Sequence, residues 1–559
     1  MVINPNGPLI IQSDRTILLE VNNPEFTKAR ERLAKFAELV KSPEYMHTYQ
    51  ITPLSLWNAA ASGITAGEII ADLNFFSKFE VQYNIKMDIS EYVNRYGLLS
   101  LVREDENLIL KSEESRVIDE IISYSSLKDF FKEQVNQNEL VIDENFRGLL
   151  KQELIKLGYP VKDLAGYQEG EFLPISLLEQ TRAGKEFKLR DYQLDGISAF
   201  YSGGTVHGGS GVIVLPCGSG KTIIGIGVIA EIKNETLILT TNTTSVRQWI
   251  NEILDKTSIS PEQIGEYSGN KKEVRPITVA TYQILTHRTD REGEFTHMKL
   301  FQERNWGLII YDEVHLLPAP VFRFTANIQA KKRLGLTATL IREDKKEEEV
   351  FTLIGAKKYD VPWVQMEDQG WIAEARCTEI RIPLTYNISE EYFLAAKRNK
   401  YKIAATNPSK ISVLKKILEE HQNNSILIIG QYLEQLKRIA DELKAPLITG
   451  RVKQDERDEI YHKFKKGKIK ILVVSKVANF ALDLPDAKVA VQVSGTFGSR
   501  QEEAQRLGRI LRPKGTDNQA YFYTLVSQNT IDQDYAMKRQ LFLVEQGYQY
   551  EIREQVVKD

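Results

Sequence analysis

The chain of 559 residues contains little cysteine and little histidine. Only Cys217 and Cys377 are present, together with seven histidines. Two thiols are too few for a disulfide framework, a four-cysteine zinc site or a four-cysteine iron–sulfur cluster. The histidines are scattered and lack ligand spacing. The sequence therefore disfavours a transition-metal enzyme.

Long hydrophobic runs are also missing. No uninterrupted apolar stretch reaches the roughly 20 residues that a membrane-spanning helix needs. The N-terminal sequence MVINPNGPLIIQSDRT has no charged segment followed by a long apolar one. We therefore expect a cytoplasmic protein with no membrane partner.

The chain has no overall excess of positive charge, since its net charge is −3. This value conceals an asymmetry between its two parts. Residues 1–180 carry 18 basic and 28 acidic side chains, a balance of −10, whereas residues 181–559 carry 55 and 48, a balance of +7. Because basic side chains neutralise phosphates, a phosphate-tracking surface is expected in the second part.

Two series of short β-branched runs alternate with helical patterns after residue 210. The first series is GVIVLP at 211–216, TLILTT at 236–241, ITVATY at 277–282 and GLIIYDE at 307–313. The second is SILIIG at 425–430, PLITG at 446–450, KILVVS at 470–475 and KVAVQV at 488–493. Continuous apolar strands separated by helices predict parallel sheets covered on both faces. The sequence thus predicts two α/β domains.

The first 180 residues follow a different pattern. TPLSLWNAAASGITAGEIIADL, at 52–73, predicts two helices that flank Ser62-Gly63, with Thr65 and Glu68 as a capping box. This is either a helix-turn-helix or winged-helix unit, or a small helical domain whose apolar residues are core. Residues 98–111 predict a hairpin, and residues 143–158 a capped helix.

The segment LPCGSGKT, at 215–222, has the pattern of a phosphate-binding loop. It follows a predicted strand and opens a predicted helix, so backbone amides and a helix N-terminus can face an anion. Lys221 is expected to pair with the β- and γ-phosphates, and the Thr222 hydroxyl to coordinate Mg²⁺. The loop residues expected to contact the nucleotide are Gly218, Ser219, Gly220, Lys221 and Thr222.

A pair of carboxylates ends the apolar run GLIIYDEVHLLP at 307–318. Burying Asp312 beside Glu313 is costly unless a cation or a reacting group offsets their charge. A parallel sheet brings this strand end to the edge that carries the phosphate loop. Asp312 is therefore expected to hold Mg²⁺, and Glu313 to polarise the water that attacks the γ-phosphate. His315 is expected to couple this site to neighbouring motifs.

Phosphoryl transfer also requires cations opposite the γ-phosphate. QRLGRILR, at 505–512, places three arginines at helical spacing within the second α/β domain. Arg509 and Arg512 stand three residues apart and would share one helix face. We expect Gln505, Arg509 and Arg512 to take part in catalysis, with hydrolysis depending on closure of the two domains.

Together these residues resemble superfamily 2 helicases, and the details resemble the XPB family, the xeroderma pigmentosum group B type of DNA repair helicase. Thr337 and Thr339 are similar to the motif that couples hydrolysis to strand movement, and Arg342-Glu343-Asp344 matches the RED triplet of XPB proteins. One departure is Ala478-Asn479, where the family usually has glycine and aspartate. The other matching runs are DEVH at 312–315, LDLPDA at 482–487 and SRQEEAQRLGRILR at 499–512.

The resemblance implies a fold with two tandem RecA-like parallel-sheet motor domains preceded by a small α+β N-terminal region. The expected domains are a helical or winged-helix-like domain at 1–100, a damage-recognition-like domain at 101–178, and motor domains at 179–365 and 366–545. A thumb-like insertion is expected at about 386–406.

The resemblance also implies an activity. The expected protein is an ATP-dependent 3′-to-5′ DNA helicase or duplex translocase in nucleotide excision repair. It would use ATP and Mg²⁺, bind single-stranded and duplex or junction DNA, and work with a nuclease or repair partner. The alternatives are an RNA-dependent ATPase and an ATP-switched DNA-binding scaffold.

Further site residues follow from the same resemblance. Gln193 would read the adenine base, with Arg190 supporting it. Trp249 and Tyr282 stand in segments similar to those that contact the DNA backbone, although both are equally consistent with core aromatics. In ISEEYFLAAKRNKYK, at 388–402, Lys397 and Arg398 are candidates for DNA contact. An amphipathic helix packed on the second motor is an equal alternative for that stretch.

The position of the RED triplet, directly after the coupling motif, generates a first prediction. We expect Arg342→Ala to reduce strand separation several-fold more than ATP hydrolysis, because this cation would act on the DNA and not on the nucleotide. Unwinding of a labelled duplex and phosphate release, measured on the same preparation, test this. Equal loss of both activities would argue against a role in separating strands.

Overall fold

The computed structural model describes most of the chain. The described residues are 4–42, 45–105, 107–143, 146–165, 170–204, 208–216, 218–269, 271–287, 296–317, 330, 332–339, 347–475, 487–495, 503, 507–508 and 518–555. They form two compact units, the first made of Met1–Leu215 with Gly220–Asp360 and the second of Pro216–Ser219 with Val361–Asp559. No helix in these described stretches is long and apolar enough to cross a membrane.

The first unit opens with a four-stranded antiparallel sheet and four helices. The strand order is β1-β2-β4-β3. The elements are β1 Leu9–Ile11, β2 Thr16–Glu20, α1 Phe26–Leu33, β3 Glu38–Lys41, β4 Met46–Gln50, α2 Pro53–Ala61, α3 Ala66–Phe76 and α4 Tyr83–Arg95. The predicted helix pair is α2 and α3, and the Thr65 and Glu68 capping box is confirmed. The sheet that precedes the pair was not anticipated from the sequence.

A five-stranded sheet of order β7-β8-β6-β5-β9 follows. Its elements are β5 Leu99–Glu104, β6 Asn107–Ser112, α5 Ser115–Ser123, β7 Phe131–Asn136, β8 Glu139–Ile142, α6 Arg147–Lys156 and β9 Val161–Asp163. The predicted hairpin is confirmed as the antiparallel pair β5 and β6. The predicted helix is α6, which has no side-chain cap at its first turn. It ends before Gly158, whose φ is +84°.

A seven-stranded parallel sheet completes the first unit, in the order β12-β13-β11-β14-β15-β10-β16. Its strands are β10 Ser210–Val214, β11 Thr236–Thr240, β12 Ile264–Tyr267, β13 Ile277–Thr281, β14 Leu308–Asp312, β15 Lys332–Thr337 and β16 Lys357–Asp360. The helices are α7 Asp191–Tyr201, α8 Lys221–Ile232, α9 Thr243–Lys256, α10 Tyr282–Leu285 and α11 Glu347–Leu353.

The second unit holds another seven-stranded parallel sheet, in the order β19-β20-β18-β21-β22-β17-β23. Its strands are β17 Glu374–Ile382, β18 Ile426–Gly430, β19 Leu447–Ile448, β20 Ile471–Ser475, β21 Val489–Gln492, β22 Gln519–Ser527 and β23 Tyr550–Glu554. The helices are α12 Trp363–Asp368, α13 Tyr386–Leu394, α14 Lys397–Ala405, α15 Ser409–Glu420, α16 Leu433–Leu443, α17 Gln454–Lys465 and α18 Ile531–Glu545. All eight strands predicted for the two α/β domains are present.

The apolar runs form central strands because both faces of each parallel sheet are covered by helices. In β11, β13 and β18 every residue is buried. The register of β14 against its neighbours places Tyr311 beside Leu239 and Asp312 beside Leu336. Since all seven strands run in one direction, their carboxyl ends share one edge of the sheet, and that edge carries the candidate site.

Helix α2 packs against the first parallel sheet. Trp57 is buried and lies in one apolar cluster with Phe351 and Ala356. The backbone N–H of Lys357 donates to Asn58 Oδ1 at 3.1 Å, and the Ser62 hydroxyl donates to the Lys357 carbonyl at 3.1 Å. These contacts favour the interpretation of the apolar residues of α2 as core.

Candidate functional site

The phosphate loop joins the end of β10 to the start of α8. Gly218 and Gly220 have φ values of +83° and +84°, a region that side chains disfavour. A Cβ on Gly220 would lie 2.7 Å from Gln193 Nε2, so this position also needs glycine for space. Lys221 and Thr222 occupy the first turn of α8, where backbone N–H groups can receive an anion.

The two carboxylates lie next to the lysine of this loop. Lys221 Nζ is 3.8 Å from Glu313 Oε1 and donates to the Leu215 carbonyl at 3.4 Å. Burial, together with the neighbouring charge of Glu313, raises the pKa of Asp312 to about 6. Glu313 Oε2 is buried and accepts no hydrogen bond from the described residues. A divalent cation suits this site, because it would offset the charge of two adjacent carboxylates.

Two donors on neighbouring elements hold the Asp312 carboxylate. Trp249 on α9 donates its indole N–H to Asp312 Oδ2 at 2.9 Å, and the Thr240 hydroxyl at the end of β11 donates to the same oxygen at 3.3 Å. Hydrogen bonds to a charged group contribute about 1.5–3 kcal/mol each. Tyr282 donates its hydroxyl to the Asp312 carbonyl at 2.9 Å.

Trp249 reaches Asp312 because Gly225 on α8 leaves room for the indole. A Cβ on Gly225 would lie 2.5 Å from Trp249 Cη2. Trp249 is 1% exposed and Tyr282 is 4% exposed, which fits the core interpretation of both aromatics. Sequence reasoning missed Thr240 and Gly225. The signal for Thr240 was a polar residue ending a buried strand of the same series.

Glu313 adopts an unusual backbone conformation. Its φ of +50° and ψ of +52° lie in the left-handed region, where a non-glycine residue costs free energy. The strand ends at Asp312, and this residue turns the chain into the short 3-10 helix Val314–Leu316. The turn points the two carboxylates in different directions. Glu313 approaches Lys221, whereas Asp312 stays buried beside Trp249.

His315 links the carboxylates to the coupling motif. Its Nδ1 is 2.6 Å from the Thr337 hydroxyl oxygen and 3.5 Å from Glu313 Oε2. Thr337 donates its hydroxyl to the Thr339 carbonyl at 2.6 Å, and the same hydroxyl oxygen accepts from the Thr339 N–H at 3.1 Å. The contact from Glu313 to Thr339 is therefore continuous, as expected if His315 couples the two motifs.

Comparisons with known proteins agree with this arrangement. The chain is 50% identical over 548 residues to a DNA 3′-5′ helicase XPB of Kineococcus radiotolerans, covering 98% of this chain and 96% of that one. It is 49% identical over 550 residues to the DNA 3′-5′ helicase XPB of Mycobacterium tuberculosis, covering 98% of each.

The chain belongs to the XPB family. The ERCC3/RAD25/XPB C-terminal helicase model matches residues 366–558. The model for the type III restriction enzyme res subunit matches residues 186–342, and a helicase conserved C-terminal domain model matches residues 9–136. The resemblance to XPB proteins that the motifs indicated is thus confirmed.

One solved structure supports the fold alone. The ATP-dependent type ISP restriction-modification enzyme LlaBIII bound to DNA aligns with 66% of this chain and 31% of its own, with a TM-score of 0.50 and 13% identity. At that identity the likeness concerns architecture and not activity. The α/β fold with two parallel-sheet motor domains after a small α+β region is confirmed.

The element that resembles the adenine-recognising segment of XPB proteins starts α7. The Arg190 N–H donates to Gln193 Oε1 at 3.0 Å, and the Arg190 guanidinium donates to the Tyr192 hydroxyl at 3.2 Å. Gln193 is buried beside Gly220 of the phosphate loop. The structure thus brings Gln193 to the loop, while base recognition stays a prediction.

The thumb-like stretch of this XPB-family chain is a pair of helices, α13 and α14. Tyr401 is buried and donates its hydroxyl to the Gly495 carbonyl at 2.5 Å, and the Tyr392 hydroxyl accepts from the Ile531 N–H at 3.0 Å. Phe393 at the end of α13 is 69% exposed, and Lys397 and Arg398 at the start of α14 are also exposed. Both interpretations of the stretch are therefore represented, since one face packs and the other carries aromatic and basic groups.

The remaining predicted site residues lie outside the described residues. They are Gln505, Arg509 and Arg512 of the QRLGRILR run and Arg342, Glu343 and Asp344 of the RED triplet. Glu503, in the same run as the arginines, is buried with its Oε2 3.9 Å from Arg539 Nε. Sequence reasoning did not single out Arg539, which stands on α18 without a motif around it.

The hydrogen bond from Trp249 to Asp312 generates a second prediction. Trp249→Phe keeps an aromatic ring but removes the N–H donor, so the carboxylate is held by Thr240 alone. We expect the Mg²⁺ concentration at half-maximal ATPase activity to rise roughly tenfold, the equivalent of about 1.4 kcal/mol. Steady-state phosphate release over a Mg²⁺ titration measures this change.

Trp306→Phe is the matched control. Trp306 is equally buried and donates its indole N–H to the Leu300 carbonyl at 3.0 Å. The Trp306→Phe change removes one buried hydrogen bond that does not involve the carboxylates. If both variants shifted the Mg²⁺ dependence equally, the specific role of Trp249 would be refuted.

Proposed function

We propose that this chain is an ATP-dependent 3′-to-5′ DNA helicase or duplex translocase. One observation carries the proposal: Lys221 of the phosphate loop and the Asp312-Glu313 pair meet at one sheet edge, with Lys221 Nζ 3.8 Å from Glu313 Oε1. The near full-length similarity to proteins named DNA 3′-5′ helicase XPB supports DNA as the substrate and the stated polarity.

The residues present fit ATP and Mg²⁺. Gly218, Ser219 and Gly220 would place backbone N–H groups against the phosphates, and Lys221 would contribute a positive charge there. Thr222 and Asp312 would hold Mg²⁺, which when bound supplies further positive charge to the phosphates. We propose that Gln193, supported by Arg190, selects the adenine base.

Glu313 is the proposed base for hydrolysis. Its Oε2 accepts no hydrogen bond from the described residues, so it can accept one from the attacking water and orient that water. The strained backbone of Glu313 and the contact of His315 fix the direction of the carboxylate. Through His315, Thr337 and Thr339, we propose that the occupancy of the site is relayed toward the DNA-contacting segments.

Several assignments rest on the sequence pattern or on the family resemblance, without support from a described contact. They are the catalytic roles of Gln505, Arg509 and Arg512, the coupling role of the RED triplet, and a nuclease or repair protein as partner. DNA contact by Lys397 and Arg398 is proposed because they are exposed and follow the exposed Phe393 closely in the sequence. The domain bounds given above, including the thumb-like insertion at about 386–406, are likewise our proposal.

A third prediction tests the catalytic carboxylate. Glu313→Gln keeps the side-chain shape but removes the base, so we expect turnover to fall about 100-fold or more while ATP binding is retained. Turnover is measured by phosphate release, and binding by titration with a fluorescent ATP analogue. Glu273→Gln, at an exposed carboxylate of the same unit, is the control. Unchanged turnover in Glu313→Gln would refute the assignment.

A fourth prediction tests the substrate class. We expect single-stranded or duplex DNA to stimulate ATPase activity several-fold more than RNA of the same length, because the chain resembles DNA helicases. The rates are compared at equal nucleotide concentration and one fixed salt concentration, since phosphate contacts are salt-dependent. Lys221→Ala gives the background rate. Stronger stimulation by RNA would favour an RNA-dependent ATPase instead.

A further inference from the structure

Arg539, on α18, is a buried arginine of the second unit. Its side chain is 1% exposed. Arginine keeps its charge in proteins, and taking a charge out of water costs free energy unless neighbouring groups offset it. The groups that surround the guanidinium therefore indicate what this residue does.

One contact of Arg539 is with the run SRQEEAQRLGRILR, at 499–512, which we call the arginine run. Arg539 Nε lies 3.9 Å from Glu503 Oε2, and the Glu503 side chain is fully buried. Leu507, in the same run, is also fully buried. Electrostatic interactions between buried groups are screened much less than those at the surface. Glu503 is thus a point at which the arginine run is held within the second unit.

A second contact joins Arg539 to α14. Arg539 Nη1 donates to the Tyr401 hydroxyl oxygen at 3.5 Å, and Tyr401 donates its hydroxyl to the Gly495 carbonyl at 2.5 Å. Tyr401 is 2% exposed, and its ring lies edge-on to Tyr535 with 4.8 Å between the ring centres. The Tyr401 hydroxyl is therefore held in place from both sides, and α14 is connected to Arg539 through it.

A third contact fixes Arg539 on its own helix. Arg539 Nη2 lies 4.0 Å from Asp532 Oδ1, at the start of α18. The other oxygen, Asp532 Oδ2, accepts from Lys410 Nζ at 2.7 Å and from the Ser527 N–H at 3.1 Å. Asp532 and Lys410 are at most 1% exposed. Asp532 is thus fixed by α15 and β22, and in turn it restrains the guanidinium.

Glycine at position 495 leaves the room that the guanidinium needs. A Cβ on Gly495 would overlap the end of the Arg539 side chain. The carbonyl of the same residue accepts the Tyr401 hydroxyl. Gly495 therefore brings its backbone close to both side chains, and the contact between Arg539 and Tyr401 depends on this close packing.

We propose that Arg539 is a positioning residue that links α14 to the arginine run. A guanidinium suits this role because it presents several N–H groups in a fixed plane, so different nitrogens face Tyr401 and Glu503. A lysine at this position would carry the same charge on a single nitrogen. The observation that carries the proposal is that one buried side chain contacts both elements.

The link rests on the function proposed above, in which the start of α14 contacts DNA and the arginine run takes part in hydrolysis. Lys397 and Arg398 stand three or four residues before Tyr401, which is about one helical turn. DNA bound there would restrain Tyr401, and Arg539 would pass that restraint to Glu503. Stimulation of ATP hydrolysis by DNA therefore depends on Arg539.

Two variants test the link, and a third is the matched control. Tyr401→Phe removes the hydroxyl that Arg539 contacts but keeps the ring. Arg539→Lys keeps a cation near Glu503 but loses the planar set of donors. Tyr523→Phe, the control, removes another buried tyrosine hydroxyl of the same unit. Tyr523 is 5% exposed, and its hydroxyl oxygen lies 2.9 Å from His421 Nε2.

Phosphate release by the full chain is measured at saturating ATP, with and without saturating duplex DNA. We expect the factor by which DNA raises kcat to fall about fivefold or more in Tyr401→Phe and in Arg539→Lys. The DNA-free kcat and the KM for ATP should stay within about twofold of the unaltered chain, because the phosphate loop and the carboxylates are unchanged. Tyr523→Phe should keep the full stimulation.

A merely structural role of Arg539 predicts other results. Arg539→Lys would then restore the stimulation, or the DNA-free kcat would fall as much as the DNA-stimulated kcat. Either result would overturn the proposal, as would an equal loss of stimulation in Tyr523→Phe. Thermal unfolding checks that each variant is folded, and Tyr401→Phe decides the question if Arg539→Lys is not.

Hydrogen exchange separates the link from the proposed function, since it requires no hydrolysis. We expect duplex DNA to slow exchange in residues 499–512 about fivefold or more in the unaltered chain and in Tyr523→Phe, but not in the two test variants. Absence of this effect in the unaltered chain would overturn the link, even if DNA stimulated hydrolysis. If DNA did not stimulate hydrolysis, the proposed function would fail, whereas slower exchange that requires Tyr401 and Arg539 would still support the link.

Discussion

The carboxylate of Asp312, buried at the end of a central strand beside a second carboxylate, is the constraint on which the site depends. A group in that position would ordinarily be expelled to water or neutralised. Here Trp249 and Thr240 donate to one of its oxygens, and Lys221 adds a positive charge nearby. Burial and the charge of Glu313 nevertheless raise the pKa of Asp312, so these partners do not offset the cost in full.

The elements around Asp312 are arranged to keep it in place. Gly225 allows α8 to approach the indole of Trp249, so the helix that begins with Lys221 also positions the residue that holds the carboxylate. On the other side, His315 and Thr337 extend the contacts from Glu313 to the next strand end. Glu313 thus connects to Thr339 through a 3.5 Å approach to His315 and through hydrogen bonds from His315 to Thr337 and from Thr337 to Thr339. This fits a motor that must convert hydrolysis into movement.

The two ends of the first parallel sheet differ in charge. Its carboxyl edge carries a carboxylate pair with one lysine, and its amino edge opens onto a cavity whose described lining residues include six basic ones. The amino edge is closed by α6, β9 and α2 of the N-terminal region, which is acidic overall. That region contributes Arg147, Lys151 and Lys162 to the cavity wall, which are three of its 18 basic residues.

Local patterns in the sequence were sufficient to predict the parallel strands, the phosphate loop and the DEVH carboxylates, and the resemblance of its motifs indicated the XPB family. A β-branched run covered on both faces, or a glycine-rich turn before a helix, is specified by neighbouring residues. The role of Trp249 was not predictable, because its partner Asp312 is 63 residues away and an aromatic in an amphipathic helix serves equally as core or as contact surface. The antiparallel sheet before α2 was missed because its strands are short and only half buried. The cationic cavity was decided by tertiary structure alone, since it forms only where α6 and β9 pack against the first residues of β10 and β15, and no local pattern encodes that meeting.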